Sequence, residues 1–502
     1  MRQGQQQLSE VGDPNVVIPL AASYNSRGLA GFTNTITNAV DQRKINSMYE
    51  PVHNSVSGET ALYLIKRPGV SDVGSTYGTT GQVAYLWDVA AGALTSAAVN
   101  RWVFSTSSND CRASDASSTT VILTSAGYSP AFVDKSFITS TDTCIVQLRH
   151  TNGTQRVFYS STIGTWTEII DTDFTTLAHV GKMEYLNGRA YVLSRTGARI
   201  YNSDLNSLSS WSATSFLTKQ VVQDIATGLA RFGDQIIAFG ESTMEVFRDV
   251  GNPTGSSLEA QTDLAQRVGL QSTVVTGQRH YYTRIGDYMF WRGSNPLGVY
   301  AYNGQRVEKV STPAIDKILA ERQHYFVSSM DIQGQKAVVI GLDLPSATTQ
   351  RALLFFPDWK DWFEWNSTVF IPQSSPRLLD VCLGVGTNQH KLYQVSSGTD
   401  NWQDAGGNYT MTHQFKIPKQ GNGRDRMSMF GVTGDTSRSA QNLSVEFSND
   451  DYQTFQTVRN IDLTAPEKAL WHCGSYKTPR IARLSYAGSL GVRLKDAIAR
   501  IT

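Results

Sequence analysis

Asp358, Asp361 and Glu364 are interleaved with Phe355, Phe356, Trp359, Trp362, Phe363 and Trp365 in the densest aromatic run of the chain. Flat aromatic faces beside carboxylates are the chemistry of sugar binding, so the run is a candidate glycan platform. The same spacing suits a hairpin whose rings pack between neighbouring sheets. Gly384-Val385-Gly386-Thr387-Asn388-Gln389 opens like a dinucleotide-binding loop, but it lacks the third glycine and leads into a strand. No helix N-terminus then stands ready for a pyrophosphate, and the segment reads as a hairpin turn. The 8 histidines are dispersed without an HxH or HExxH pattern. Cys111, Cys144, Cys382 and Cys473 have no CxxC spacing, which reads as buried, reduced thiols. Neither a metal centre nor a cofactor is expected, although ligands from distant positions would leave no such pattern.

Ser448-Asn449-Asp450-Asp451-Tyr452-Gln453-Thr454-Phe455 approximates the Ser-x-Asp-x-Gly-x-Thr-Trp box of sialidase-like propellers, with Tyr452 for Gly and Phe455 for Trp. Its Asp would accept backbone N–H bonds and its aromatic would pack beneath, which stabilises a turn and catalyses nothing. A glycosidase further needs an arginine cluster and an acid paired with a Tyr or carboxylate nucleophile. The sequence assembles no such set.

These residues must be held by strands, because one phrase recurs along the middle of the chain. A turn of Gly, Asn or Asp precedes four or five mostly apolar residues at Asn187-Gly188, Gly233-Asp234, Gly286-Asp287 and Gln333-Gly334. The turn glycines are 45, 53 and 48 residues apart, close to the roughly 40 to 50 residues of one propeller blade. A second marker, an aromatic-bearing strand and then a Trp, places Trp166 and Trp211 45 residues apart. The expected fold is all-β: a β-propeller of about six or seven blades over residues 61–405, with a Ser/Thr-rich insertion around 71–142 that holds short strands such as Val83 to Trp87 and Thr120 to Leu123 and in which 105–119 is a loop or an insertion at a blade edge. Residues 1–60 read as an extended N-terminal arm, and 406–502, with longer alternating strands, as a C-terminal β-sandwich-like domain. The best helix candidate is Pro313–Glu321, opened by Thr312 as N-cap with Pro313 in the first helical position.

Charged residues make up 17% of the 502, and Lys+Arg 44 against Asp+Glu 43 leave a net charge of +1. Gripping a nucleic acid through its phosphates needs a clustered cationic patch, and the longest run found is a pair such as Arg43-Lys44. Nothing approaches 18 consecutive apolar residues, so no membrane span is expected, and no apolar leader opens the chain.

Pro19-Leu20-Ala21-Ala22-Ser23-Tyr24-Asn25-Ser26-Arg27, then Gln42 to Glu50, then Lys66-Arg67-Pro68-Gly69-Val70, resembles the opening of the packaged-DNA stabilization proteins, the tail hub or nozzle proteins of short-tailed bacteriophages. Thr243 to Phe247, Arg267 to Leu270, Ser311 to Ile315 and Arg480 to Tyr486 are similar to that family's central and closing regions. Ala22 stands where the family favours Gly, and 71–142 matches none of its phrases. The resemblance implies a structural or assembly role for Tyr24, Arg27, Asn46, Tyr49, Glu50, Pro68, Gly69 and Pro313.

It further implies a non-enzymatic virion protein of the tail, assembled in the host cytoplasm as a homo-hexamer. The ring would sit below the phage portal and adaptor, retain and conduct double-stranded DNA without specific binding, and carry tail fibre, spike or needle proteins. The closed β scaffold, the weakly charged surface and the N-terminal arm agree with that role. A sialidase-like propeller glycosidase and a monomeric propeller lectin or adaptor are the alternatives.

Overall fold

The computed structural model describes residues 15–21, 42–53, 60–76, 82–88, 101–107, 109–114, 119–138, 141–219, 221–222, 224–252, 255–271, 281–321, 326–342, 349–372, 381–384, 391–396, 401–420, 423–435, 442–450 and 453–502. The chain divides into two compact units. One comprises Asp72–Ala352 and Thr368–Gln394; the other comprises Met1–Ser71, Leu353–Ser367 and Val395–Thr502.

The first of these is a β-propeller of six four-stranded sheets, five of them made of four consecutive strands paired in chain order. Each recurring sequence phrase is the hairpin turn between a first and a second strand. It joins His179–Leu186 to Arg189–Ser194, Ala226–Phe232 to Gln235–Gly240, and Tyr282–Ile285 to Tyr288–Gly293. A fourth copy joins Phe326–Ile332 to Gln335–Gly341. Two backbone solutions serve this one position. Asn187 and Gly188 both have positive φ, 49° and 82°, as do Gln333 and Gly334, 54° and 80°, the pattern of a type I′ turn. At the other two, only the leading glycine does, Gly233 at 61° and Gly286 at 56°, as in type II′.

The apolar run after each turn is continuous because second strands are covered on both faces. All of Gln235–Gly240 is buried. Ile236 and Ala238 pack with Tyr191, Leu193 and Leu229 of the preceding sheet and its neighbour strand. Ile237 and Phe239 turn the other way, toward Met289 and Trp291, with Phe239 and Trp291 centroids 5.4 Å apart. Each such side chain contributes about 1.5–3 kcal/mol through burial, so the core consists of repeated layers between sheets.

Of residues 105–119, expected as a loop or an insertion at a blade edge, 105–107, 110–114 and 119 instead lie in strands of a sheet of Gln82–Asp88, Arg101–Ser107, Asp110–Ser114 and Thr119–Thr124. Phe104, Cys111, Ala113 and Ile122 form its part of an apolar cluster. Small inward residues two apart, set among β-branched Thr, make a strand without the apolar density of its neighbours. The sixth sheet is completed by Val70–Thr76, which joins Phe370–Ile371, Val381–Gly384 and Lys391–Val395 from much later in the chain. The helix forms as expected: Pro313–Glu321, with Thr312 Oγ1 accepting from Ile315 N at 3.4 Å.

The other unit holds two sheets. One runs in the order Ser47–His53, Thr60–Lys66, Arg493–Ile501, Asp425–Asp435, Ala469–Trp471, with Asn15–Pro19 also paired to Arg493–Ile501. In the second, Gln42–Ile45 lies between Asp361–Ser367, parallel, and Met411–Ile417, antiparallel. Arg480–Tyr486, Asn442–Ser448 and Arg459–Asp462 follow. Phe430 of the first sheet stacks on Phe415 of the second at 6.3 Å and meets Phe447 edge-on at 5.3 Å. The sandwich expected at the C-terminus is therefore built with strands from 15–66 and 361–367 as well.

Candidate functional site

Gln42–Ile45 alternates between buried and half-buried positions, and the alternation turns Lys44 inward. Lys44 is fully buried. Its Nζ donates to the Tyr49 hydroxyl at 2.9 Å and to the Asp361 carboxylate, while the Tyr49 hydroxyl donates to the same carboxylate at 2.7 Å. Burial pushes the Lys44 ammonium below its ordinary value, and Asp361 opposes that shift. His413 stands opposite Lys44 in the strand register. It is fully buried, and neither ring nitrogen has a hydrogen-bond partner among the described residues. Burial first, and then the Lys44 charge, holds His413 well below the usual range, which keeps it neutral near pH 7.

Lys66, the last residue of Thr60–Lys66, and Arg67 just after it are two more buried cations. Arg67 grips Asp404 through two parallel bonds of 2.9 and 2.5 Å, the fork geometry that favours arginine over lysine. Its remaining donors reach Asn46 Oδ1 at 3.2 Å, the Pro68 carbonyl at 3.1 Å and the Asn366 carbonyl at 3.4 Å. The guanidinium lies 3.8 Å from the Tyr409 ring centroid. Lys66 Nζ donates to the carbonyls of Trp402 at 2.8 Å and Gly488 at 2.7 Å. Burial, then the neighbouring Arg67 charge, brings Lys66 down to about 8. A Cβ on Gly69 would stand 2.1 Å from the Gln403 carbonyl oxygen, so this close approach needs glycine.

Four of the family-signature residues, Asn46, Tyr49, Pro68 and Gly69, come together here. Asn46 Oδ1 also accepts from Asn366 N at 2.9 Å and its Nδ2 donates to the Thr410 carbonyl at 3.0 Å. Tyr49 completes the Lys44 pair, and Pro68 and Gly69 form the approach to residues 401–404. Glu50 binds Arg493 through two bonds of 2.5 and 2.7 Å. Pro313 opens the helix of the propeller unit and lies apart from this group. Tyr24 and Arg27 lie outside the described residues. Of the residues that do most of the pairing, Asp361 was read from sequence as part of a sugar platform and Lys44, Lys66 and Arg67 only within short phrases, while Asp404 and His413 were not singled out. The signal was present as Leu64-Ile65-Lys66-Arg67, two cations closing an apolar strand.

Chemically this is a fastening. Every cation is committed to a carboxylate, hydroxyl or carbonyl, and it ties residues 43–50, 66–69, 361–366 and 401–413 together. The aromatic run belongs to the same unit: Trp362, Phe363 and Trp365 are 1%, 0% and 2% exposed, and Tyr49 meets Phe363 edge-on at 5.0 Å. These rings offer no open platform for a glycan. Asp450 accepts from Ser448 Oγ at 2.7 Å and Thr454 N at 2.9 Å, the turn stabilisation expected of that box. Phe455 lies under Arg483 at 3.7 Å.

In the propeller, Lys182 pairs with Asp134 and lies 3.7 Å from Glu184, which accepts from the Tyr282 hydroxyl at 2.8 Å. Burial raises Glu184 to about 7 and pushes the Tyr282 hydroxyl far above its usual value. That hydroxyl is held neutral as a donor, the opposite of what a tyrosine nucleophile requires. The four cysteines are buried and free. No group of His, Cys, Asp and Glu suited to a metal ion occurs among the described residues, and no described helix is long and apolar enough to cross a membrane.

Among curated proteins no match is found. Similar solved structures include an ancestral GH74 enzyme at 11% identity and a TM-score of 0.35, covering 76% of this chain and 59% of that one, less than two thirds of its length. The N-terminal domain of Nup159 follows at 11% and 0.30, covering 48% and 70%. Exo-beta-1,3-galactanase from Phanerochaete chrysosporium follows at 10% and 0.27, covering 90% and 100%. Likeness at this level bears on neither substrate nor reaction. Over residues 49–349, more than half its length, the chain matches the phage stabilisation family described as bacteriophage P22 Gp10, beta-propeller, and it belongs to that family of phage structural proteins.

Proposed function

We propose that this protein is the hub, or nozzle, of a short-tailed phage tail. Six copies form a ring below the portal and adaptor, retain the packaged genome, conduct it outward during ejection and anchor fibres, spikes or a needle. The protein is assembled in the host cytoplasm and resides in the virion tail. The family match over residues 49–349 carries the reading. Two physical features support it. The net charge of +1 and a sequence with no clustered run of cations leave little to hold sliding phosphates. The fastened unit joins distant chain segments rigidly, as a part under mechanical load requires.

Electron microscopy and mass measurement of the purified protein test it. The expected particle has 6 × 55.2 ≈ 331 kDa, six-fold symmetry and a central hole, and it adds to adaptor-bearing capsids. A protein that stays monomeric and fails to join such capsids sinks the proposal.

A further inference from the structure

Lys44 and Asp361 stand 317 positions apart, yet their side chains meet in a sealed place, 0% and 2% exposed. The parallel pairing of Ile45 with Glu364 brings the start of Asp361–Ser367 beside Gln42–Ile45. Tyr49 is buried with them, and the Phe363 ring closes the site with its centroid 4.9 Å from Lys44 Nζ. Two other lysines that meet acids are placed differently. Lys182 meets an Asp134 that is 31% exposed, and Lys219 meets Asp224 only 5 residues on.

Three features suit the Lys44 pair to condensation. Burial lowers the ammonium against the opposing pull of Asp361, which brings a nucleophilic amine closer. The Tyr49 hydroxyl accepts from Nζ at 2.9 Å and donates to Asp361 Oδ2 at 2.7 Å, so it bridges the attacking nitrogen and the oxygen that must leave. Asp361 Oδ1 receives Trp362 N–H at 2.7 Å, a donor where negative charge gathers during attack. Well-oriented groups within one molecule reach effective molarities of roughly 10⁵–10⁸ M, and burial excludes the water that would reverse the reaction.

We propose that Lys44 and Asp361 condense in the folded chain to form an isopeptide bond, with Tyr49 passing a proton between them. Nζ gives one proton directly to Oδ2, which it already contacts, and the resulting amine attacks Cγ. As the C–N bond forms, the carbonyl electron pair moves onto Oδ1, which the Trp362 N–H holds. A second Nζ proton crosses the Tyr49 hydroxyl to Oδ2, the electron pair returns from Oδ1, and the Cγ–Oδ2 bond breaks to release water. An ammonium and a carboxylate thus become an amide and one water, with nothing oxidised or reduced. The bond forms within one chain, so it stands or falls apart from the proposed ring. It makes the fastening between residues 43–50 and 361–366 covalent.

Mass spectrometry of the purified full chain tests it. The expected intact mass is one water below that of the sequence, and a protease digest yields a branched peptide joining the segments that carry Lys44 and Asp361. Lys44→Met removes both signs. Tyr49→Phe, which keeps the ring, slows branched-peptide formation in freshly synthesised chain about 100-fold, within the range for loss of a proton-transfer group, while the folded tryptophan emission is retained. A wild-type chain with the full sequence mass and no branched peptide overturns the proposal, as does a water loss that maps elsewhere. Branched peptide forming at the wild-type rate in Tyr49→Phe overturns the role of Tyr49.

Discussion

The two units bury charge in opposite ways. In the propeller, Lys219 pairs with Asp224, and Lys182 pairs with Asp134 and lies beside Glu184, partners found within a short loop, on one strand or on the preceding sheet. In the other unit Lys44 meets Asp361 and Arg67 meets Asp404 across sequence separations of 317 and 337. Local pairs stabilise a repeat that is already determined by its own hairpins. Long-range pairs decide which distant segments belong together, and removing one partner there strands a buried charge.

The largest effect is therefore expected at Asp404→Ala, which leaves the Arg67 guanidinium buried without its carboxylate and destabilises by about 3–5 kcal/mol. Urea unfolding followed by tryptophan fluorescence measures it. A loss equal to that of an exposed pair would erase the distinction between the units.

His413→Leu sharpens it in the other direction. Replacing two unpartnered buried nitrogens by an apolar side chain adds about 1–3 kcal/mol. It also changes the pH profile. Folded His413 resists protonation, whereas the unfolded residue takes up a proton near 6.5, so wild-type stability falls as pH drops through that value. The variant lacks this component, and paired urea titrations at neutral and mildly acid pH read the difference.

Gly188→Ala probes the propeller's local logic. Its φ of +82° and an Asn206 Oδ1 atom 2.8 Å from the added Cβ give a cost of about 1–2 kcal/mol. The loss should appear in thermal melts with the other turns intact. Arg248→Gln is the smallest case: its 3.3 Å pair with Asp234 has both side chains more than half exposed, and the change stays within about 0.5 kcal/mol. A larger loss would mean that surface pairs, too, organise this unit.

The same contrast explains what sequence could reveal. Turns such as Asn187-Gly188 and runs such as Ile236-Ile237-Ala238-Phe239 carry their structure within a few residues, and the propeller was legible from them. Of the sheet containing Cys111 and Ala113, the strands around Val83 and Thr120 were legible, but Asp110–Ser114 was missed because its inward residues are small and its outward ones polar. The fastening was half legible. Asn46, Tyr49, Glu50, Pro68 and Gly69 were marked by family likeness, but their partners Asp361, Asp404 and Arg493 lie hundreds of positions away, and nothing local joins them.

The strand Val70–Thr76 completes a sheet whose other strands begin at Phe370, and Asp72 pairs with Lys391 at 2.9 Å within it. During synthesis the propeller thus stays an open arc until residues near 395 leave the ribosome. At about 5–20 residues per second that wait is on the order of tens of seconds, with one sheet edge unpaired throughout. The other unit waits longer still, because Thr60–Lys66 pairs with Arg493–Ile501, so it is completed only when nearly the whole chain has been made.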